Sequence, residues 1–97
     1  MPADVTLHPA AAREVEVAYN WYLVRNPIAA SAFQAELEHA VAVVADQPAR
    51  WPKLNETVRR YVFPRFPFSL IFREAAGEVE IIAIAHQKRR PGYWTKR

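Results

Sequence analysis

The sequence predicts an α+β fold in which two helices pack on one face of an antiparallel sheet. Apolar residues recur at three- and four-residue intervals over residues 9–46, which is the period of amphipathic helices. After residue 57 the apolar period changes to two, which is typical of strands. A helix stripe and a sheet face must both be covered. The economical arrangement is therefore a two-layer domain with the element order β-α-α-β-β-β.

A short strand and a first helix open the chain. "DVTL" at 4–7 is the strand candidate, and His8-Pro9 begins the helix. Proline suits the first helical turn, where its missing N–H would be unpaired in any case. The helix is expected to run to residue 25. Its apolar stripe contains Val15, Ala18, Tyr19 and Tyr22.

A second helix is predicted directly after the first, so that the two form an antiparallel hairpin. Asn26 can cap it through its side-chain oxygen, Pro27 takes its first turn, and Gln47-Pro48 ends it. Glu36 and Glu38 are expected to point away from the apolar face. That face is formed by Phe33, Leu37, Val41 and Val44.

Three strands complete the domain after a proline-containing loop over residues 48–57. The strands are "VRRYVF" (58–63), "FSLIFRE" (68–74) and "EVEIIAIAH" (78–86). Their connections are short, so consecutive strands should pair as an antiparallel meander. Gly77 can supply the positive φ that the last tight turn requires.

Length and composition limit what the protein can be. The 97 residues allow one domain, spanning 1–97. The chain has no cysteine, which excludes disulfides and thiol nucleophiles, and its two glycines leave no phosphate-cradling loop. No metal-ligand spacing is present, so we expect neither a metal nor another cofactor. We also expect a cytoplasmic protein, because we see no signal peptide and no membrane-spanning run.

Charge is divided unevenly along the chain. Residues 1–49 carry two bases and six acids, a net charge of −4, whereas residues 50–97 carry eleven bases and four acids, a net charge of +7. Such asymmetry favours a surface for an anionic partner over a merely solvated basic face. The candidate target-binding residues are Arg59, Arg60, Arg65, Arg73 and Lys88.

The final segment, "HQKRRPGYWTKR", concentrates acid–base and anion-binding side chains. It could form an active site, with His86, Arg89, Arg90 and Tyr93 as the candidate catalytic residues. Alternatively, it could bind a partner, with Tyr93 and Trp94 packed back on the sheet. His86 has the intrinsic pKa of a general base. It could equally be a strand-end histidine that is hydrogen-bonded to the backbone.

These motifs together resemble the RelE/ParE superfamily of toxins from bacterial type II toxin–antitoxin systems, the plasmid-stabilisation type. The resemblance covers nearly the whole chain. It is carried by "LHPAAAREVEVAYNWY", "AFQAELEHAVAVVADQP", "RRYVFPRFPFSLIFR" and, most specifically, "IIAIAHQKRRPGYWTKR". It implies the two-layer fold and growth inhibition neutralised by a cognate antitoxin, within a toxin–antitoxin hetero-oligomer.

The superfamily divides by activity, and the resemblance implies one of two targets. RelE-like members cut mRNA on the ribosome. Here that activity would use Arg59 or Arg60 and Arg89 or Arg90 to stabilise charge, with Tyr93 as the proton donor. ParE-like members inhibit DNA gyrase without catalysis. Ribosome-dependent members tend to carry lysines in the middle strands, whereas this chain has arginines there. A non-toxic nucleic-acid-binding or protein-interaction module of the same fold is the third alternative.

Overall fold

The computed structural model describes residues 2–97 and confirms the predicted order of elements. It contains strands β1 to β4, helices α1 and α2, and a short 3₁₀ turn between α2 and β2. Their bounds are β1 Asp4–Leu7, α1 Pro9–Arg25, α2 Pro27–Asp46, the 3₁₀ turn Pro48–Arg50, β2 Val58–Val62, β3 Phe68–Ala75 and β4 Glu78–His86.

Local side-chain caps set the helix boundaries. At the start of α1, the His8 Nδ1 atom accepts a hydrogen bond from the Ala10 N–H at 3.0 Å, and Pro9 follows it. Asn26 ends α1 and begins α2. Its backbone N–H donates to the Tyr22 carbonyl, while its Oδ1 accepts from the Ile28 N–H at 3.0 Å. A single extended residue therefore separates the two helices, which makes the hairpin tight.

The four strands form one sheet in the order β1-β4-β3-β2. The last three strands pair as the predicted antiparallel meander. The expectation of an entirely antiparallel sheet was wrong for the first strand, because β1 runs parallel to β4. The helical hairpin separates β1 from the meander, and it delivers the chain to the far edge of the sheet, where β2 begins.

The β3–β4 hairpin contains a turn and a bulge. The turn places Ala76 at a φ of 51° and Gly77 at 78°, so both central residues are left-handed, as in a type I′ turn. Further along, Phe72 pairs with Ile81 but Ile71 pairs with Ala83, so Ile82 is an extra residue in β4. The bulge changes which side chains of β4 face the helices, and Ile81 and Ile84 both do so.

The helix-facing side of the sheet holds the main core. Phe33 lies at its centre, fully buried, with its ring centroid 5.4–5.6 Å from those of Tyr22, Phe66 and Phe68. The expectation that Glu36 points away from the core was wrong, because its side chain is 5% exposed. Its Oε1 accepts the Arg65 backbone N–H at 2.9 Å, so it holds the β2–β3 connection against α2.

Helix α2 is, among the described residues, the one helix long and apolar enough to cross a membrane by length and composition. Its apolar face packs in the protein core through Phe33, Leu37, Ala40 and Val44. The core helix of a soluble protein meets the same criterion, so this property indicates little about location.

Candidate functional site

The segment after β4 folds back over the side of the sheet that faces away from the helices. We call residues 87–97 the tail. Backbone bonds from Arg89 to His86, Tyr93 to Arg90, Thr95 to Gly92 and Arg97 to Trp94 shape it into successive turns. Tyr93 and Trp94 pack against a second apolar cluster. Its members are Val58, Ile71, Ile82, Ala83 and Ala85. The predicted return of the two aromatic residues onto the sheet is therefore confirmed.

One carboxylate of α1 anchors this tail. Glu14 Oε2 accepts the Tyr93 hydroxyl proton at 2.6 Å, and the two carboxylate oxygens accept from Arg97 Nη1 and Nη2 at 2.9 and 3.1 Å. Glu14 Oε1 also accepts the backbone N–H of Ile84 at 3.0 Å. We call this arrangement of Glu14, Tyr93, Arg97 and the β4 backbone the Glu14 clasp.

The sequence did not reveal the clasp, because a glutamate in a helix and an arginine in a basic segment are both ordinary. A signal did exist. Glu14 lies three residues after Ala11 and four before Ala18, and both alanines are buried. It is thus an acid on the buried stripe of α1, where a charged group requires a partner.

The clasp also changes the chemistry of Tyr93. Partial burial and the hydrogen bond to the Glu14 carboxylate raise the pKa of the Tyr93 phenol well above its usual value. The Arg89 guanidinium lies over the Tyr93 ring, 4.0 Å from its centroid. The hydroxyl is thus held protonated and directed at Glu14.

This raised pKa predicts how stability responds to alkali. Above the usual phenol pKa of 10.0, the unfolded chain releases the Tyr93 proton while the folded chain retains it, so folding becomes less favourable as the pH rises. Wild type should therefore be more stable than Tyr93→Phe at pH 8, and this advantage should shrink between pH 10 and 11. Urea unfolding at each pH measures it. A difference that is constant with pH would contradict the prediction.

His86 ends β4 in a backbone-bonded environment. Its Nδ1 accepts the Lys88 N–H at 3.0 Å, and its ring packs edge-on against Phe68 at a centroid separation of 5.1 Å. This geometry corresponds to the strand-end alternative for His86. The four candidate catalytic residues lie within one short segment, but the Tyr93 hydroxyl and the His86 Nδ1 each form a hydrogen bond with another group of the protein.

Two of the candidate target-binding arginines bind the protein's own chain. Arg59 Nη1 donates to the carbonyls of Ala49 and Trp51 at 3.2 and 2.7 Å, which fixes the loop before β2. Arg73 pairs with Glu80 at 3.1 Å and donates to the backbone oxygen of Arg97 at 2.8 Å. A third, Arg65, is 74% exposed and lies 3.9 Å from Glu36.

Four of the candidate bases are exposed and make no ion pair or side-chain hydrogen bond with residues 2–97. We call them the basic surface: Arg60, Lys88, Arg89 and Arg90. Arg60 lies two residues after Val58 along β2, so the two side chains project on the same side of the sheet. This is the side that the tail covers. Lys88, Arg89 and Arg90 lie in the tail itself. A small pocket of about 80 Å³ lies beside the tail, between Trp94, Thr95 and Val58, and no side chain of the basic surface lines it.

A second candidate surface is apolar and lies where β1 meets the two helices. Leu7, Val15, Leu37 and Val41 line a shallow groove of about 280 Å³, with Glu38 at its margin. Strand β1 is an edge strand, so the backbone beside this groove is not paired on its outer side. An extended segment could add to the edge while placing apolar side chains in the groove.

Comparisons with known proteins agree with this architecture. The family model described as "ParE toxin of type II toxin-antitoxin system, parDE" matches residues 5–91. Among solved structures, a chain of the chromosomal ParDE TA system from P. aeruginosa superposes with a TM-score of 0.74. It is 25% identical, and the match covers 87% of this chain and 95% of that one. No curated protein matches the sequence significantly.

Proposed function

The chain belongs to the family of ParE toxins of type II toxin–antitoxin systems, and we propose that it arrests growth by binding DNA gyrase rather than by cutting RNA. The observation that carries this proposal is the state of Tyr93. Its hydroxyl is bonded to Glu14 at 2.6 Å, and its raised pKa makes it a poor proton donor.

The remaining groups offer little chemistry. Arginine does not deprotonate in proteins, so Arg60, Arg89 and Arg90 cannot act as bases. His86 would have to act through Nε2 alone, since Nδ1 accepts from the Lys88 amide. An exposed basic surface beside packed aromatic residues is suited to recognition, because protein interfaces favour arginine, tyrosine and tryptophan.

Cleavage of mRNA on the ribosome is the competing activity. The basic surface is the observation that favours it, because four cations without an acidic partner among residues 2–97 could bind a phosphate backbone. That mechanism would still need a base and a proton donor beside the scissile phosphate. The two activities therefore differ in what they require of Tyr93 and His86.

A supercoiling assay tests the proposal. Purified toxin is added to gyrase, ATP and relaxed plasmid, and in parallel to a translating extract with a defined mRNA. We expect inhibited supercoiling with accumulation of cleaved DNA, and intact mRNA. Toxin pre-mixed with its antitoxin is the control and should leave gyrase active. Normal supercoiling at excess toxin, together with mRNA cut in the extract, would establish the ribonuclease instead.

We further propose that a cytoplasmic antitoxin neutralises the toxin by covering the apolar groove. The ParDE system of the solved relative supports an antitoxin partner. The groove combines apolar walls with the free outer edge of β1. An antitoxin segment that pairs with β1 would satisfy that edge and bury the groove in one step.

A further inference from the structure

Strand β4 extends beyond the reach of β1. The parallel pairing ends where Leu7 meets Ile81, but β4 continues to His86. On this side, Arg97 Nη1 donates to the Ile82 carbonyl at 2.9 Å and Glu14 accepts the Ile84 N–H at 3.0 Å. Two side chains thus replace the missing strand partner at and after the Ile82 bulge.

Both carboxylate oxygens of Glu14 accept hydrogen bonds in this region. It receives four hydrogen bonds, from the Ile84 amide, the Tyr93 hydroxyl and two nitrogens of Arg97. Its side chain is 15% exposed and that of Arg97 is 18% exposed, so the bidentate pair is largely shielded from water. Charge-assisted bonds in this fork geometry fix direction as well as distance.

The contacts continue from Glu14 to the basic surface. Glu14 holds the Tyr93 hydroxyl, and the Tyr93 ring carries the Arg89 guanidinium on its face. The turn between His86 and Tyr93 therefore has a fixed point at each end. At one end, His86 bonds the backbone N–H groups of Lys88 and Arg89, and at the other stands the clasp. Lys88 and Arg90 project from this turn.

We propose that Glu14 is the positioning residue for the tail part of the toxin's basic surface, an assignment that rests on the proposed binding of gyrase. Glu14 itself contacts no target. It fixes the tail so that Lys88, Arg89 and Arg90 are already in their binding geometry, and the ordering cost is met at folding rather than at binding. Loss of the clasp should therefore weaken target binding while the helices and the rest of the sheet persist.

The test compares Glu14→Gln with Glu16→Gln. Glu16 lies on the same helix, is exposed and bonds no side chain within the described part of the chain, so both variants remove one charge from α1. Glutamine at position 14 keeps an oxygen for the Ile84 amide but cannot accept the Arg97 fork as a carboxylate does. For Glu14→Gln, we expect at least tenfold weaker inhibition of gyrase supercoiling, whereas Glu16→Gln should match wild type.

Two further readouts separate positioning from simple stabilisation. Amide hydrogen exchange should become at least tenfold faster in residues 87–97 of Glu14→Gln and stay unchanged in α2 and β3. Antitoxin affinity should remain within twofold, because the apolar groove is intact. If gyrase inhibition and antitoxin affinity fall together, or if inhibition persists with a loosened tail, the assignment is overturned.

A second variant and a second readout keep the positioning role of Glu14 testable. If Glu14→Gln fails to fold, Arg97→Gln keeps the acceptor for Ile84 and carries the same expectations. If wild type arrests growth without affecting gyrase, the proposed function fails alone. Growth arrest then replaces supercoiling as the readout for the same pair of variants. Equal growth arrest by Glu14→Gln and Glu16→Gln would overturn the positioning role.

Discussion

Replacing Phe33 with alanine is expected to lower the free energy of unfolding by about 3–5 kcal/mol. The ring is fully buried and lies among Tyr22, Phe63, Phe66 and Phe68, which come from both layers of the domain. Its removal leaves a cavity that rigid aromatic neighbours cannot easily fill. Total stabilities of small domains are only about 5–15 kcal/mol, so this variant should unfold at markedly lower urea concentration.

Urea denaturation followed by circular dichroism measures this loss. Val24→Ala is the matched control, because Val24 is 83% exposed and its truncation should change stability by less than about 0.5 kcal/mol. Phe33→Leu should fall between the two. A loss below about 1 kcal/mol for Phe33→Ala would mean that the aromatic cluster is not the centre of the core.

Reversing the charge of Arg90 is expected to weaken the inhibition of gyrase at least tenfold. Arg90 is exposed in the tail and pairs with no acid in residues 2–97, so Arg90→Glu should leave folding intact. A charge that meets an anionic target directly is commonly worth more than 1 kcal/mol in binding, and reversal adds repulsion to the lost attraction.

Arg13→Glu provides the matched control, because it makes the same change in net charge on the exposed face of α1. Supercoiling inhibition should be titrated for both variants at low and moderate salt, and thermal unfolding should be compared. We expect the loss for Arg90→Glu to be greatest at low salt. Equal potency of the two variants would show that Arg90 is not at the target interface.

The elements of this fold could be predicted from sequence because local residues specify them. The capping Asn26, the prolines at 9 and 27 and the turn glycine at 77 mark boundaries that the structure reproduces to within a residue. The partner and direction of β1 had no such marker. They depend on which edge of the sheet the helical hairpin leaves open, and this is a property of the assembled layers.

The functional surface could be predicted only in part. The concentration of bases and aromatic residues after β4 was visible in the sequence, and so was the packing of Tyr93 and Trp94. The division between engaged and free arginines was not visible. Arg59 and Arg60 are neighbours in sequence, yet strand alternation directs one to loop carbonyls and the other to solvent. Glu14 and Arg97 meet across 83 residues, a distance over which local patterns carry no information.

The parallel pairing of β1 with β4 has a consequence for the order in which the toxin is made and becomes folded. Asp4 pairs with Glu78 and Leu7 with Ile81, so the first strand has no partner until residues 78–81 have been synthesised. Contacts between distant parts of a chain form late because closing the long loop costs entropy before any contact rewards it. The helical hairpin can form during translation. The β1 edge of the sheet can form only after β4 has been synthesised.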